Sequence, residues 1–202
     1  MRSVEEKPEW KPRTKLGMLV ATNKIASMGE VFENGYRIQE PEIIRMLLQD
    51  IRSEVVHVGI VQKQTDAGEL TRFSAIVAAG NENGWFGIGK GKAMQMRIAI
   101  DKATNASMLN VIPIKLGCGS WECRCQQLHS VPFRVTGKGG SVKIDILPGP
   151  RGLGIVAGEN IKNLLKLAGI KDAWTRTYGS TNTMSSTTKA IYNALRSTYS
   201  VG

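Results

Sequence analysis

Residues 80–93, GNENGWFGIGKGKA, constrain the chain more than any other stretch. Gly84, Gly87, Gly89 and Gly91 alternate with Trp85, Phe86, Lys90 and Lys92 at the point where a period-two apolar pattern gives way to a helical one. Glycine lets main chain approach a neighbour with no side chain between, and lysine offers charge-assisted hydrogen bonds to phosphate. The expectation is a loop whose free amides face one way together with the next helix N-terminus, and a polyanion lying against it. The plain alternative is a glycine-rich hairpin with ordinary surface lysines.

Spacing narrows the kind of phosphate. Gly84 to Lys90 fits the first seven positions of G-x-x-x-x-G-K-[ST], but Gly91 stands where the magnesium-binding hydroxyl belongs. The dinucleotide pattern G-x-G-x-x-G fails at Lys92. A fixed polyanion surface, with no bound nucleotide, fits the segment better than nucleotide hydrolysis.

Charge points the same way. The net charge is +10, from 27 basic and 17 acidic residues. Residues 1–50 hold eight of each, leaving 19 basic against nine acidic beyond them, the footprint of a nucleic-acid binder. No run of 18 apolar residues and no basic amphipathic helix calls for a membrane, and the Met1 end lacks a signal-like apolar region. An intracellular protein is expected.

Residues 1–13 are polar and proline-bearing and read as an arm, with Trp10 as its anchor. Ser27 and Glu30 form a capping box for a short helix ended by Asn34-Gly35, and Pro41 opens a helix carrying Ile43, Ile44, Leu47, Leu48 and Ile51. From Glu54 the period becomes two. Val56, Val58 and Ile60 lie on a strand where His57 is an ordinary member, 63–69 is a turn, and Leu70–Ala79 returns. The NENG turn at 81–84 leads into a short strand, Trp85–Ile88, and a helix at 93–109 with Met96, Ala99, Ile100 and Ala103 inward.

All three cysteines fall in LGCGSWECRCQQLH. Cys118, Cys123, Cys125 and His129 follow C-x4-C-x-C-x3-H, a complete tetrahedral set within twelve positions. Two readings stand: one structural zinc, or a free-thiol turn. Strands at 130–136 and 141–147 follow, joined by Gly137-Lys138-Gly139-Gly140; then the glycine-rich loop 148–158 around Arg151, a helix at 160–168, a strand at 174–178 and a closing helix at 185–199. The class is α+β, as two units side by side.

Several stretches resemble one family closely: TRFSAIVAAGNENGWFGIGKGKA (71–93), GCGSWEC (117–123), HSVPFRVTGKGGSV (129–142), PGPRGLGIVAG (148–158), LAGIKDAWTRTYGST (167–181) and KAIYNALRSTYS (189–200). They are similar to small-subunit ribosomal protein five in its archaeal form, over nearly the whole chain. FENGYRIQEPEI (32–43) matches an extension that archaeal members carry. The resemblance implies an N-terminal extension with short helices (1–52), a double-stranded-RNA-binding-like domain (53–117), a Cys/His linker (118–129) and a second α+β domain with a left-handed βαβ crossover (130–202). It also implies a cytoplasmic structural part of the small ribosomal subunit. There the chain would bind small-subunit ribosomal RNA near the decoding region and the channel through which messenger RNA enters, support translational accuracy, and neighbour small-subunit proteins of families two, four and eight. The loop Gln62–Thr71, which bears on fidelity in the family, lacks the dense basic run of bacterial members.

Residues and resemblance agree on the contact set. Lys63, Arg72, Lys90, Lys92, Arg97, Arg134, Lys138 and Arg151 would neutralise phosphates, and Gly84, Gly87, Gly89 and Gly91 would admit the backbone. Trp85 stacks on a base or fills the sheet's own core; Phe86 leans to the core. The rival readings are a metal- or nucleotide-dependent RNA-processing enzyme and a free RNA chaperone. The enzyme fails on inventory: nine carboxylates beyond residue 50, two histidines far apart, and no paired acids beside a base. Neither a catalytic residue nor a small-molecule substrate is expected.

Overall fold

The structure, a computed structural model, describes residues 10–123, 125 and 127–199. The chain divides into two units, Met1–Gln49 and Asp50–Gly202. The first holds α1 (Lys15–Ala21), α2 (Met28–Glu33) and α3 (Pro41–Leu47) around Leu16, Val20, Ile25, Val31 and Ile43. Ser27 caps α2 through the Glu30 N–H, as its capping box predicts, and Gly35 follows with φ +67°. The sequence pattern did not reveal α1, which is two turns long with Gly17 inside. Of the arm, residues 1–9 lie outside the described residues. Trp10 is anchored: its indole N–H donates to Glu40 (3.0 Å), which also accepts the Arg13 and Thr14 amides.

The second unit contains two four-stranded sheets. The first is antiparallel in the order β1 (Arg52–Thr65), β2 (Gly68–Gly80), β3 (Trp85–Ala93), β4 (Ile112–Pro113), with α4 (Met96–Leu109) on one face. The β1–β2 ladder continues to Thr65 opposite Gly68, so only Asp66 and Ala67 turn, where a turn over 63–69 was expected. β3 pairs with β2 no further than Ala93 opposite Phe73, and beyond that point β1 and β2 project as an exposed two-stranded arm.

The second sheet runs β5 (Val135–Gly139), β6 (Val142–Pro148), β8 (Ala173–Tyr178), β7 (Ile155–Val156), with α5 (Glu159–Leu167) and α6 (Met184–Ser197). β7 and β8 are parallel and joined through α5, the βαβ crossover. Val142, Ile144, Ile146, Leu164, Leu165, Ile191 and Leu195 fill the space between sheet and helices. Ala78, Phe86 and Ile114 of the first half belong to that same core. The two halves stand side by side as expected and also share apolar interior, each buried large side chain contributing about 1.5–3 kcal/mol.

Why the glycines alternate is visible in the packing. Strand side chains alternate between faces, and Gly87, Gly89 and Gly91 all point at α4. A β-carbon at these positions would lie 2.3 Å from the Ser107 oxygen, 2.0 Å from the Ala103 oxygen and 2.3 Å from the Ala99 oxygen. The second half repeats the device. On β5, a β-carbon at Gly137 or Gly139 would meet the Ala190 oxygen at 2.0 Å or the Ser186 oxygen at 2.3 Å of α6. Both Gly-Lys-Gly runs are thus strands beneath small-residue helices, where loops were expected.

Candidate nucleic-acid interface

This corrects the role of three glycines. Gly87, Gly89 and Gly91 are buried against α4, and β3 is laddered to β2, so they offer no free amides to a phosphate. Gly84, at φ +96°, turns the chain into β3 with its carbonyl accepting from Ile114. Phe86 is wholly buried, in the core, and Trp85 is half-buried at the head of the strand. The expected helix stripe shifts as well: Ala99, Ala103, Ser107 and Met108 are buried, while Met96 is exposed.

The lysines between the glycines take the opposite face. Cross-strand partners share a face, so Val61 opposite Arg72, Ser74 opposite Lys92 and Ile76 opposite Lys90 fix a common side. Lys63, opposite Leu70, falls on it too. Four sequence-predicted cations thus occupy one face of the first sheet, away from α4. Lys90 also lines a cavity of about 480 Å³ with Lys189, Tyr192 and Arg196 of α6. Sequence reasoning missed those α6 residues, because it asked only which residues of that helix faced inward. Arg97 stands apart on α4, exposed on the other side of the sheet.

Arg134 and Lys138 belong to the outer face of the second sheet. Arg134 Nη2 lies 2.6 Å from Asp145 Oδ2, Thr136 donates to Oδ1 at 2.9 Å, and Lys143 Nζ is 3.8 Å away. Burial works against the charge of Asp145, but the Arg134 and Thr136 hydrogen bonds and the Lys143 charge hold its carboxyl below the usual range.

Arg151 sits beside the cysteines, its backbone N–H directed at Cys123. Their segment is pinched at its base, where the Gly117 and Ser130 amides exchange hydrogen bonds of 2.8 and 2.9 Å. Above the pinch, the ligand atoms of Cys118, Cys123, Cys125 and His129 all lie within 4.8 Å of one another. Cys123 Sγ is 3.1 Å from Cys125 Sγ and 3.6 Å from His129 Nε2, and Cys125 Sγ is 3.7 Å from Cys118 Sγ. Tetrahedral thiolate and imidazole ligands at ordinary zinc distances lie about 3.5–3.8 Å apart, so the set has the geometry to hold a metal. The hydrogen bond from Cys125, then the Arg151 amide, lowers the Cys123 thiol to about 6, while burial and the other two thiols push Cys118 up to about 11. His129 presents Nε2 because its buried Nδ1 lies 2.9 Å from Asp172 Oδ2. That contact is close but poorly aligned as a hydrogen bond, leaving Nδ1 short of a well-aimed acceptor. Asp172 is itself held by the Gly154 amide at 2.8 Å.

Two antiparallel-rich sheets, each underlaid with glycine against a small-residue helix and faced with exposed cations, define a two-domain α+β protein with a basic surface. Residues 51–115 match the family described as Ribosomal protein S5, N-terminal domain, and residues 137–202 match Ribosomal protein S5, C-terminal domain. The chain is 62% identical over 201 residues to small ribosomal subunit protein uS5 of Cenarchaeum symbiosum, covering 100% of this chain and 92% of that one. It is 53% identical to uS5 of Thermofilum pendens (95% of each chain) and 53% identical to uS5 of Pyrobaculum aerophilum (94% and 87%). The chain belongs to the ribosomal protein S5 family in its archaeal form, a structural rather than enzymatic family.

Proposed function

We propose that the chain is a structural constituent of the small ribosomal subunit, binding small-subunit ribosomal RNA near the decoding region and the messenger channel and supporting accuracy of translation. The observation that carries the RNA contact is the shared face of Lys63, Arg72, Lys90 and Lys92, extended by Lys189 and Arg196. The names of the relatives, small ribosomal subunit protein uS5, support the subunit. A-form RNA hides its sequence-bearing groove, so cations spaced along a strand face read backbone shape. Arg134, Lys138 and Arg151 add phosphate contacts on the second half, and Arg97 one of its own. Small-subunit proteins of families two, four and eight would be neighbours, in the cytoplasm; no helix among the described residues is long and apolar enough to cross a membrane.

Cys118, Cys123, Cys125 and His129 hold one zinc in this reading. With four protein ligands no position is open for catalysis, and the metal would fix the linker between the halves. The whole reading is tested by sedimentation in sucrose gradients at moderate salt. The tagged chain travels with small subunits in equal proportion to other subunit proteins; a chain confined to the light fractions is not a ribosomal constituent.

A further inference from the structure

The outer face of the second sheet carries a pattern unlike the first. Along β8, Trp174, Arg176 and Tyr178 point away from α5 and α6, and all three are exposed, the two aromatics by 46% and 49%. On β6 they face Leu147, Asp145 and Lys143 in turn. Lys143 in turn pairs with Lys138, and Thr136 with Asp145. The acid within the sheet, Asp145, is enclosed and tied to Arg134, so its charge is already compensated, and a second acid, Glu122, is exposed at the far end beside Trp121. Lys143 Nζ sits 5.6 Å from the centre of the Tyr178 ring. At the far end, Trp174 and Arg176 line a cavity of about 410 Å³ with Pro148, Pro150 and Trp121. Trp121, on the Cys/His segment, is 90% exposed.

Exposed rings interleaved with cations on one strand face are what a surface for stacking bases requires. The occupant must like both rings and cations. Duplex RNA offers phosphates but keeps its bases stacked inside, so it has no use for indoles. An unpaired strand offers both, with bases for the rings and phosphates for Arg134, Lys138, Lys143 and Arg176. Trp174 and Tyr178 are four residues apart on one strand, about 13 Å, which makes two separate stacking positions with a guanidinium between them. We propose that this face is a platform for single-stranded RNA, with bases stacked on Trp174 and Tyr178 and the strand's end received between Trp174 and Trp121. The proposal rests on the RNA-binding role above, but uses a different surface and a different form of RNA.

The test compares two probes on the full chain: oligouridine of about eight nucleotides and an RNA duplex of about 16 base pairs. Wild type binds both, and the oligomer quenches tryptophan fluorescence. Replacing Trp174 and Tyr178 together by Ala weakens oligomer binding at least about tenfold and leaves duplex binding within about twofold. The paired Trp174→Phe, Tyr178→Phe variant keeps most of the affinity, since a ring remains. Circular dichroism and melting confirm that both variants fold. Unchanged oligomer binding in the alanine variant overturns the proposal, as does an equal loss on both probes, which reports charge alone. An alanine variant that binds oligomer normally but no longer joins small subunits assigns the face to a protein neighbour and likewise overturns it. Wild type that binds duplex but not oligomer rejects this platform and leaves the wider role standing; wild type that binds neither rejects both.

Discussion

Gly89 of β3 lies directly under Ala103 of α4, so close that a β-carbon on the glycine would come 2.0 Å from the Ala103 carbonyl oxygen and 2.2 Å from the Ser107 nitrogen. Gly137 of β5 stands in the same relation to Ala190 of α6. In each half, a helix with small residues at every fourth position rests on a strand stripped of side chains on that face. Helix and sheet come closer than larger residues would allow, and the lysines between the glycines face the other way.

Gly89→Ala should therefore cost stability rather than RNA affinity. The atoms in the way are backbone, which cannot swing aside, so the loss should reach or exceed about 1–3 kcal/mol. Gly158→Ala is the control: its φ is −62° and nothing lies within 4 Å of the added carbon, so the change should cost no more than about 0.5–1 kcal/mol, the preference of a helix N-cap for glycine over alanine. Urea denaturation of both variants decides it, and equal midpoints would show that α4 does not rest on Gly89.

Lys90→Ala with Lys92→Ala addresses the exposed side of the same strand. Neither side chain is in the core, so folding should be unaffected while duplex RNA binding weakens. The slope of log K against log salt should become shallower by about one for each phosphate no longer neutralised. Arg97→Ala, on the opposite side of the sheet, should alter that slope by no more than the share of its own single phosphate. A double variant with the wild-type slope removes this face from the interface.

The alternation that marked Gly87, Gly89 and Gly91 was plain in the sequence, but its cause was not. A glycine bared for a ligand and a glycine bared for a helix backbone look alike in one dimension. What separates them is the partner, and Ala99, Ala103 and Ser107 lie downstream on an element of a different period. The α6 core at Thr187, Ala190, Ile191, Ala194 and Leu195 was legible because its 3.6-residue repeat is local, and all five are buried. So was the clustering of Cys118, Cys123, Cys125 and His129, since a short closed segment has little freedom in bringing them together. Asp172, which positions His129, was beyond reach: it lies in the turn between α5 and β8, with β5, β6, β7 and α5 intervening, and nothing near it hints at a cysteine cluster. Trp174, Arg176 and Tyr178 were readable as alternate positions on one strand, a signal that appears once the outward face is considered.

The Cys/His segment predicts a metal stoichiometry. Purified wild type should carry about one zinc per chain and Cys123→Ser much less. Asp172→Asn keeps an acceptor for the Gly154 amide but removes the carboxylate beside His129 Nδ1, so zinc affinity should drop by about 10–100-fold with the fold intact. Equally negligible zinc in wild type and Cys123→Ser would leave a free-thiol turn.

Asp145 ties stability to pH. It is fully enclosed while its partner Arg134 is 56% exposed, and its folded pKa lies below the unfolded value near 3.9. A carboxyl depressed in the folded state contributes stability that is complete above the unfolded value and vanishes as pH falls through the folded one. Asp145→Asn removes that contribution, and because the guanidinium left behind can rehydrate, the cost at neutral pH should be about 1–3 kcal/mol rather than that of an orphaned buried charge. Wild type and variant should therefore differ most at pH 6–7, and the gap should be smaller at about pH 3, below the unfolded value. Denaturant melts at the two pH values measure the gap; a difference of the same size at both would mean that Asp145 is held by shape and not by charge.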